Sequence, residues 1–253
     1  MTGIARREAV VVTGGSRGIG AAVARLAAAR GYDVAVSYLS DSAAAAEVVR
    51  AASAAGARAL AVAGDVSREE DVARLFETAA REIGPVRGLV NSAGITGGFA
   101  RVAELSRETL ERVLEVNVTG TILCAREAVR RMSTRRGGAG GAIVNVSSLA
   151  ARRGGAGEWV HYAASKGAVE AFTLGLAREV AAEGIRVNAV APGIIDTELH
   201  AAAGAPDRAT RQAGTIPMQR PGAALEVAEG VLWLLSEAAS YTTGAVLDIG
   251  GGR

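Results

Sequence analysis

Residues 9–20 read AVVVTGGSRGIG: a β-branched run, a turn with glycines at 14, 18 and 20, and the opening of the Ala-rich helical pattern IGAAVARLAAARG. β-Branched residues favour strands, and glycine lets a backbone approach a ligand closely. A helix that starts directly after such a turn offers free N–H groups and a dipole worth roughly 0.3–1 kcal/mol to an anion. Strand, glycine turn and helix in this order therefore make a cradle for a pyrophosphate. The spacing is not the usual G-x-G-x-x-G fingerprint, so the loop draws its weight from its place after the first strand.

The same alternation continues along the chain. DVAVSY, ARALAVAGDV, GLVNSAG, GAIVNVSS, IRVNAVAPG and GAVLDIGG are further strand candidates, separated by six helical segments dotted with Arg and Glu. Short continuous apolar runs alternating with amphipathic helices predict strands buried on both faces. The predicted fold is α/β: a Rossmann-type, doubly wound, seven-stranded parallel sheet with helices on both faces, in a single domain over 1–253. Gly31, Gly56, Gly84 and Gly184 follow helical runs, as left-handed caps do. The longest irregular stretch, about 193–222, follows the sixth strand at the ligand-binding edge and is expected to be a substrate lid.

Composition excludes several classes. Hydrophobic residues make up 49% of the chain and charged ones 21%, enough for a large core. The net charge is +2, and the arginines are scattered beside acids, as in SREEDVARLFETAAREIG, which gives nucleic-acid binding no stripe to use. Cys124 is the single cysteine, so no intramolecular disulfide can form. It reads as a small buried apolar residue, and no metal site is expected. No apolar run approaches the roughly 18 residues of a membrane span, and the N-terminus runs straight into a strand pattern. The expectation is a soluble, cytoplasmic protein.

The stretch 161–167, HYAASKG, carries the only lysine of the chain, every other basic side chain in the Lys+Arg total of 28 being arginine. Lys166 lies four residues after Tyr162, on the same helical face. Bringing a phenol from about 10 toward 7 takes roughly 4 kcal/mol, and one charge about 4 Å away at a dielectric of about 20 supplies about 4 kcal/mol. Alone, the pair also describes an ordinary exposed helix start. A lone lysine among arginines points to a site where a compact ammonium serves and a planar guanidinium does not.

TGGSRGIG, NSAG at 91–94, Asn117, Ser148 and YAASK, in this order, resemble the short-chain dehydrogenase/reductase family, in particular bacterial 3-oxoacyl-carrier-protein reductases and glucose dehydrogenases. PMQRPG and the segment EVAEGVLWLLSEAASYTTGAVLDIGGG are similar to their C-terminal half. The resemblance implies that Gly14, Ser16, Arg17, Gly18, Ile19 and Gly20 hold the adenosine and pyrophosphate, with Asp65 and Val66 at the adenine. It places Asn91, Ala93 and Gly94 at the ribose, and Pro192, Gly193, Ile195 and Thr197 at the nicotinamide. Ser92 departs from the family, which more often has a second asparagine there. The catalytic set implied is Asn117, Ser148, Tyr162 and Lys166, with Tyr162 and Lys166 also meeting the cofactor and Asn117 holding a water that relays protons to Lys166. Strand alternation turns Ser147 and Ser148 to opposite sides, and alignment with the family favours Ser148. Relatives are commonly homotetramers joined through the long fourth and fifth helices and the last strand.

The second strand ends in SYLSDS, without an acid placed to chelate a free ribose diol. Asp41 reads as a helix cap. Arg17, with Ser37 opposite, is suited to a 2′-phosphate, so NADP(H) is preferred and NAD(H) stays open; Leu39 stands where many NADP-dependent relatives carry a second arginine. Trp159, His200 and Met218, together with Ser148, are the candidates for the substrate pocket; Trp159 fits pocket wall and core packing alike, and His161 fits a packing or surface role. The reading is an NADP(H)-dependent oxidoreductase that moves a hydride between nicotinamide and a small-molecule carbonyl or secondary alcohol, foremost a ketone reductase. A sugar dehydrogenase is the alternative within enzymes. A catalytically silent nucleotide-binding regulator is the alternative outside them, against which the intact Ser, Tyr, Lys and Asn set argues.

Overall fold

The computed structural model describes residues 8–253, with the side chain of His200 outside the described residues. The first half runs β1 Ala9–Thr13, α1 Gly18–Ala29, β2 Asp33–Tyr38, α2 Ser42–Ala54, β3 Ala59–Ala63, α3 Glu69–Glu82 and β4 Val86–Asn91. It continues through α4 Arg107–Leu114, a π turn Glu115–Thr119, α5 Gly120–Met132, β5 Gly141–Val146, α6 Ala150–Arg153, α7 Val160–Val180 and β6 Ile185–Pro192. The last third holds β7 Ile195–Asp196, α8 Glu198–Ala202, α9 Arg208–Arg211, β8 Gly222–Ala223, α10 Ala224–Leu235 and β9 Val246–Ile249.

Seven parallel strands form one sheet in the order β3-β2-β1-β4-β5-β6-β9. Its order reverses between β1 and β4, which opens a crevice at the C-terminal ends of those strands. Along β1, Val10 and Val12 join one core with Val23, Val231 and Leu232, whereas Val11 joins the other with Phe76, Leu89, Met132 and Ile143. A strand buried on both faces reads as an unbroken apolar run for this reason. Phe76, Leu89 and Ile143 are fully buried, each contributing about 1.5–3 kcal/mol. Asp41 caps α2 by accepting from Ala44 N at 2.9 Å, as its place before the alanine run predicts.

Two segments differ from the pattern in the sequence. The periodicity over 107–132 predicts one helix, yet five residues around Asn117 form a π turn inside it. The stretch 193–222 is not irregular throughout: β7 pairs with β8 through Ile195 opposite Gly222 and Asp196 opposite Ala223, closing the base of an excursion that carries α8 and α9. Elements of two to five residues are too short to show a period. Among the described residues, no helix is long and apolar enough to cross a membrane, and no group of three His, Cys, Asp or Glu is placed to hold a metal.

Candidate active site

Thr13 closes β1, and its hydroxyl accepts from the N–H groups of Ser92 and Ala93, both at 3.1 Å. This ties the glycine loop to the end of β4. Gly14 turns at φ +62°, where a Cβ would come within 2.8 Å of Ala93 Cα; at Gly20 a Cβ would lie 2.3 Å from the Gly14 carbonyl. A side chain at either position would force the loop apart, from β4 at Gly14 and from its own turn at Gly20. The loop borders a cleft of about 580 Å³ at the C-terminal edge of the sheet.

Most of the expected nucleotide contacts line this cleft: Gly14, Ser16, Arg17, Gly18, Ile19 and Gly20 on one wall, Ala93 and Gly94 on another, and Pro192, Gly193, Ile195 and Thr197 on a third. Ser37 also lines it, though its hydroxyl is buried and accepts from Gly14 N at 3.2 Å. Arg17 is exposed at the mouth and has no hydrogen-bond or ion-pair partner among the described residues. Asp65 and Val66 border the cleft beyond β3. The Asp65 carboxylate accepts from Arg112 Nη2 at 2.7 Å and from the Ser67 hydroxyl at 2.7 Å. Burial works against its ionisation, but the Ser67 and Arg112 hydrogen bonds prevail and hold it below the usual carboxylate range. Asn91 does not line the cleft; its amide donates to Asn145 Oδ1 at 2.9 Å and to the Thr121 carbonyl at 3.3 Å. Its side chain is thus turned into the sheet toward β5, where Asn145 donates in turn to Thr173 Oγ1 at 2.9 Å and Asn91 Oδ1 is buried without a hydrogen-bond partner.

At the other end, β5 delivers Ser148 and α7 delivers Tyr162 and Lys166 to the same wall. The Ser148 hydroxyl accepts from Ala150 N at 3.1 Å and stands beside the Tyr162 hydroxyl, favouring its ionised form. Ser147 points the other way, donating to Glu170 Oε1 at 3.0 Å and to the Lys166 carbonyl at 3.3 Å, which sets Ser148 apart from its neighbour. Lys166 Nζ lies 5.7 Å from the centre of the Tyr162 ring and donates to the Val146 carbonyl at 2.7 Å. Burial pushes the Lys166 ammonium down to about 8. Burial pushes the Tyr162 phenol up to about 12, with the Ser148 hydrogen bond pulling the other way. The expected lowering of the phenol by Lys166 is thus not a property of the protein on its own: desolvation outweighs what the surroundings return to the phenolate.

Asn117 is held on both sides of its amide. Its Oδ1 accepts from Ile95 N at 2.9 Å, and its Nδ2 donates to the Ile95 carbonyl and to Ser165 Oγ, both at 2.9 Å. The side chain is fully buried, and its Oδ1 and Lys166 Nζ both lie beside Gly94. It fixes Ile95, on the cleft wall, to α7 one residue before Lys166.

The family described as Enoyl-(Acyl carrier protein) reductase matches residues 14–253. An uncharacterised oxidoreductase of Escherichia coli K12 is 52% identical over 243 residues, covering 96% of this chain and 98% of that protein. Glucose 1-dehydrogenase 2 of Bacillus subtilis is 38% identical, covering 97% of this chain and 94% of that protein. The solved structure of a short chain dehydrogenase from Burkholderia cenocepacia in complex with NADP superposes with a TM-score of 0.89 at 34% identity, covering 97% of each chain. The chain belongs to the short-chain dehydrogenase/reductase family. It is an oxidoreductase, and the glycine cradle suits the nicotinamide dinucleotide with which such a relative was solved.

The substrate-pocket expectations fare unevenly in this short-chain dehydrogenase/reductase. Ser148 is on the cleft wall. Trp159 is 6% exposed and stands behind the wall, its ring 5.7 Å from that of Tyr162. Met218 is 60% exposed and packs beside Gly251, away from the cleft. His161 is buried, with Nε2 at 2.9 Å from the Thr96 carbonyl, a packing role as expected. Arg112, Thr96, Glu198, Leu199 and Ala202 line the cleft without having been singled out in the sequence. Asp65 is a signal for the first, since a carboxylate at a cleft needs a partner; the five-residue α8 gives no such signal for the last three.

Proposed function

We propose that this chain is an NADP(H)-dependent ketone reductase in which Tyr162 is the proton donor. The observation that carries the reading is the chemistry of the wall. Apart from Lys166, the charged side chains bordering the cleft are Arg17 at the glycine loop, Asp65 with Arg112 beyond β3, and Glu198, whose carboxylate faces Gly18. The rest of the wall includes Ile95, Gly97, Gly98, Leu199 and Ala202, which offer a ketone apolar contact. The hydroxyl groups that reach this end, Thr96, Ser148 and Tyr162, are fewer than a sugar would bring, and each buried unpaired hydroxyl costs about 1–3 kcal/mol.

NADPH, when bound against the glycine cradle, supplies the hydride that the carbonyl carbon accepts. The Ser148 hydroxyl donates a hydrogen bond to the carbonyl oxygen, and Tyr162 Oη delivers its proton there as the alkoxide forms. A phenol pushed up to about 12 holds that proton at neutral pH, which suits the reducing direction. The Lys166 ammonium stabilises the phenolate left behind. Asn117 is a positioning residue that ties Ile95 to α7. Arg17, exposed and unpaired among the described residues, meets the 2′-phosphate. The excursion at 193–222 serves as the substrate lid, and the chain works as a cytoplasmic homotetramer.

The test is steady-state turnover with NADPH and NADH over a panel of ketones, beside glucose oxidation with NADP and NAD. Ketone reduction faster with NADPH is expected, and Arg17→Ala should raise the KM for NADPH about 10-fold or more while leaving that for NADH within about twofold, the size of a lost charged hydrogen bond. Activity confined to NAD and glucose overturns the reading.

A further inference from the structure

The cleft does not account for a buried constellation on the outer side of Tyr162. Trp159 stacks on Phe99 with ring centres 4.9 Å apart and planes 18° apart. On Trp159 also lies the guanidinium of Arg208, 4.6 Å from the ring centre. Arg208 Nη2 donates to Glu158 Oε2 at 2.6 Å, and the Arg208 side chain is only 8% exposed. Its Nε is buried with no hydrogen-bond partner. The Glu158 carbonyl accepts from Ala100 N at 2.8 Å, and Trp159 shares a small core with Tyr162 and Ala203. Three segments distant in sequence therefore meet on one indole: the loop after β4 through Phe99, the excursion after β6 through Arg208 and Ala203, and the start of α7 through Tyr162.

We propose that Arg208 is a positioning residue for the reaction: it latches the excursion at 193–222 onto Glu158 and Trp159, and so sets the substrate-side wall against Tyr162. The proposal rests on the reading of that excursion as the substrate lid. A guanidinium suits this task because its planar face stacks on an indole while its edge holds a carboxylate, which an ammonium cannot do together. Removing the Glu158 charge leaves a guanidinium that is only 8% exposed without its partner, and removing the Arg208 charge frees Glu158, 34% exposed, to turn to solvent. Beyond the latch, the segment is held on its other side by Ala209 and Ile216 packed on Ile194 and by Arg253 on Gln212, while α9, a four-residue helix, is too short to be stable by itself. Release of the latch exposes the indole and loosens the wall, while the glycine loop at the far end of the cleft is untouched.

Trp159 reports on the latch directly, because the chain has one other tryptophan, Trp233. In a Trp233→Phe background, acrylamide quenching of Trp159 is compared among the parent, Glu158→Gln, Arg208→Met and Arg208→Lys, each checked for a cooperative melt. Ethyl acetoacetate turnover and NADPH affinity, read from the fluorescence of NADPH, complete the set. The expected result is quenching at least threefold stronger in Glu158→Gln and Arg208→Met, a KM for the ketone about 10-fold higher, and an NADPH Kd within twofold of the parent. Arg208→Lys should fall between, keeping the ion pair and losing the stacked face. Quenching unchanged in both charge-removing variants overturns the proposal, as does a loosened indole with unaltered KM, or an NADPH Kd that rises in parallel. Should Arg208→Met fail to fold, the isosteric Glu158→Gln decides alone. Because quenching needs no turnover, failure to reduce any ketone would count against the proposed function and leave the latch to be judged on the indole.

Discussion

Tyr162 and Lys166 share one face of α7, but burial drives them in opposite directions from what a proton-transfer pair needs in isolation, the phenol to about 12 and the ammonium to about 8. For Lys166 the gap between about 8 and the usual 10.5 corresponds to about 3 kcal/mol of destabilisation while the amine is charged. The hydrogen bond to the Val146 carbonyl returns about 1 kcal/mol. Lys166→Met should therefore abolish reduction yet stabilise the protein by about 2 kcal/mol at pH 7, measured by urea denaturation. Between about 8 and 10.5 the unfolded chain binds the proton that the folded one has released, so the parent gains stability as pH rises. The advantage of the variant fades across that window and is gone above it. Lys166→Arg keeps the charge and should still lose most activity, since the planar head does not fit a place shaped for an ammonium.

Between residue and sheet stands the π turn Glu115–Thr119, which swells a helix where Asn117 must reach Ile95 and Ser165. Such single-turn bulges occur at functional sites because they redirect a side chain without ending the helix. Asn117→Ala would strip Ile95 N, the Ile95 carbonyl and Ser165 of a buried partner. A loss of about 2–4 kcal/mol in stability is expected, from two or three unsatisfied groups, together with a fall in kcat at little-changed NADPH affinity. Urea melts and single-turnover kinetics check the two parts. The periodicity of 107–132 is that of a plain helix, and one asparagine among apolar neighbours does not announce a bulge; only the position of Ile95 across the gap explains it.

Over the whole molecule, large apolar side chains stay exposed on the helices to which the family resemblance assigns assembly: Leu114 on α4, Ile122 on α5 and Leu174 on α7, each between 38% and 43% exposed. Burying this surface between copies would remove the exposure, so a tetramer is expected in sedimentation experiments, and Ile122→Glu with Leu174→Glu should yield smaller species. Much of the architecture was legible beforehand. The cradle at 13–20, the seven strands, the Asp41 cap and the Tyr162–Lys166 spacing are local patterns, settled by propensity, by period and by positions within a few residues of one another. Other features needed the chain to be folded. Asp65 meets Arg112 from 47 residues away, and Arg208 meets Glu158 from 50. Asn91 turns to Asn145 instead of the cleft, and the phenol of Tyr162 rises because of what encloses it. By itself the sequence determined the fold, since propensity and period encode it, and it set the expected reacting groups, Tyr162 and Lys166 by their spacing and Ser148 and Asn117 by the family resemblance. The tertiary structure alone decided their environment, since burial and partnership arise from residues that only the closed sheet brings together.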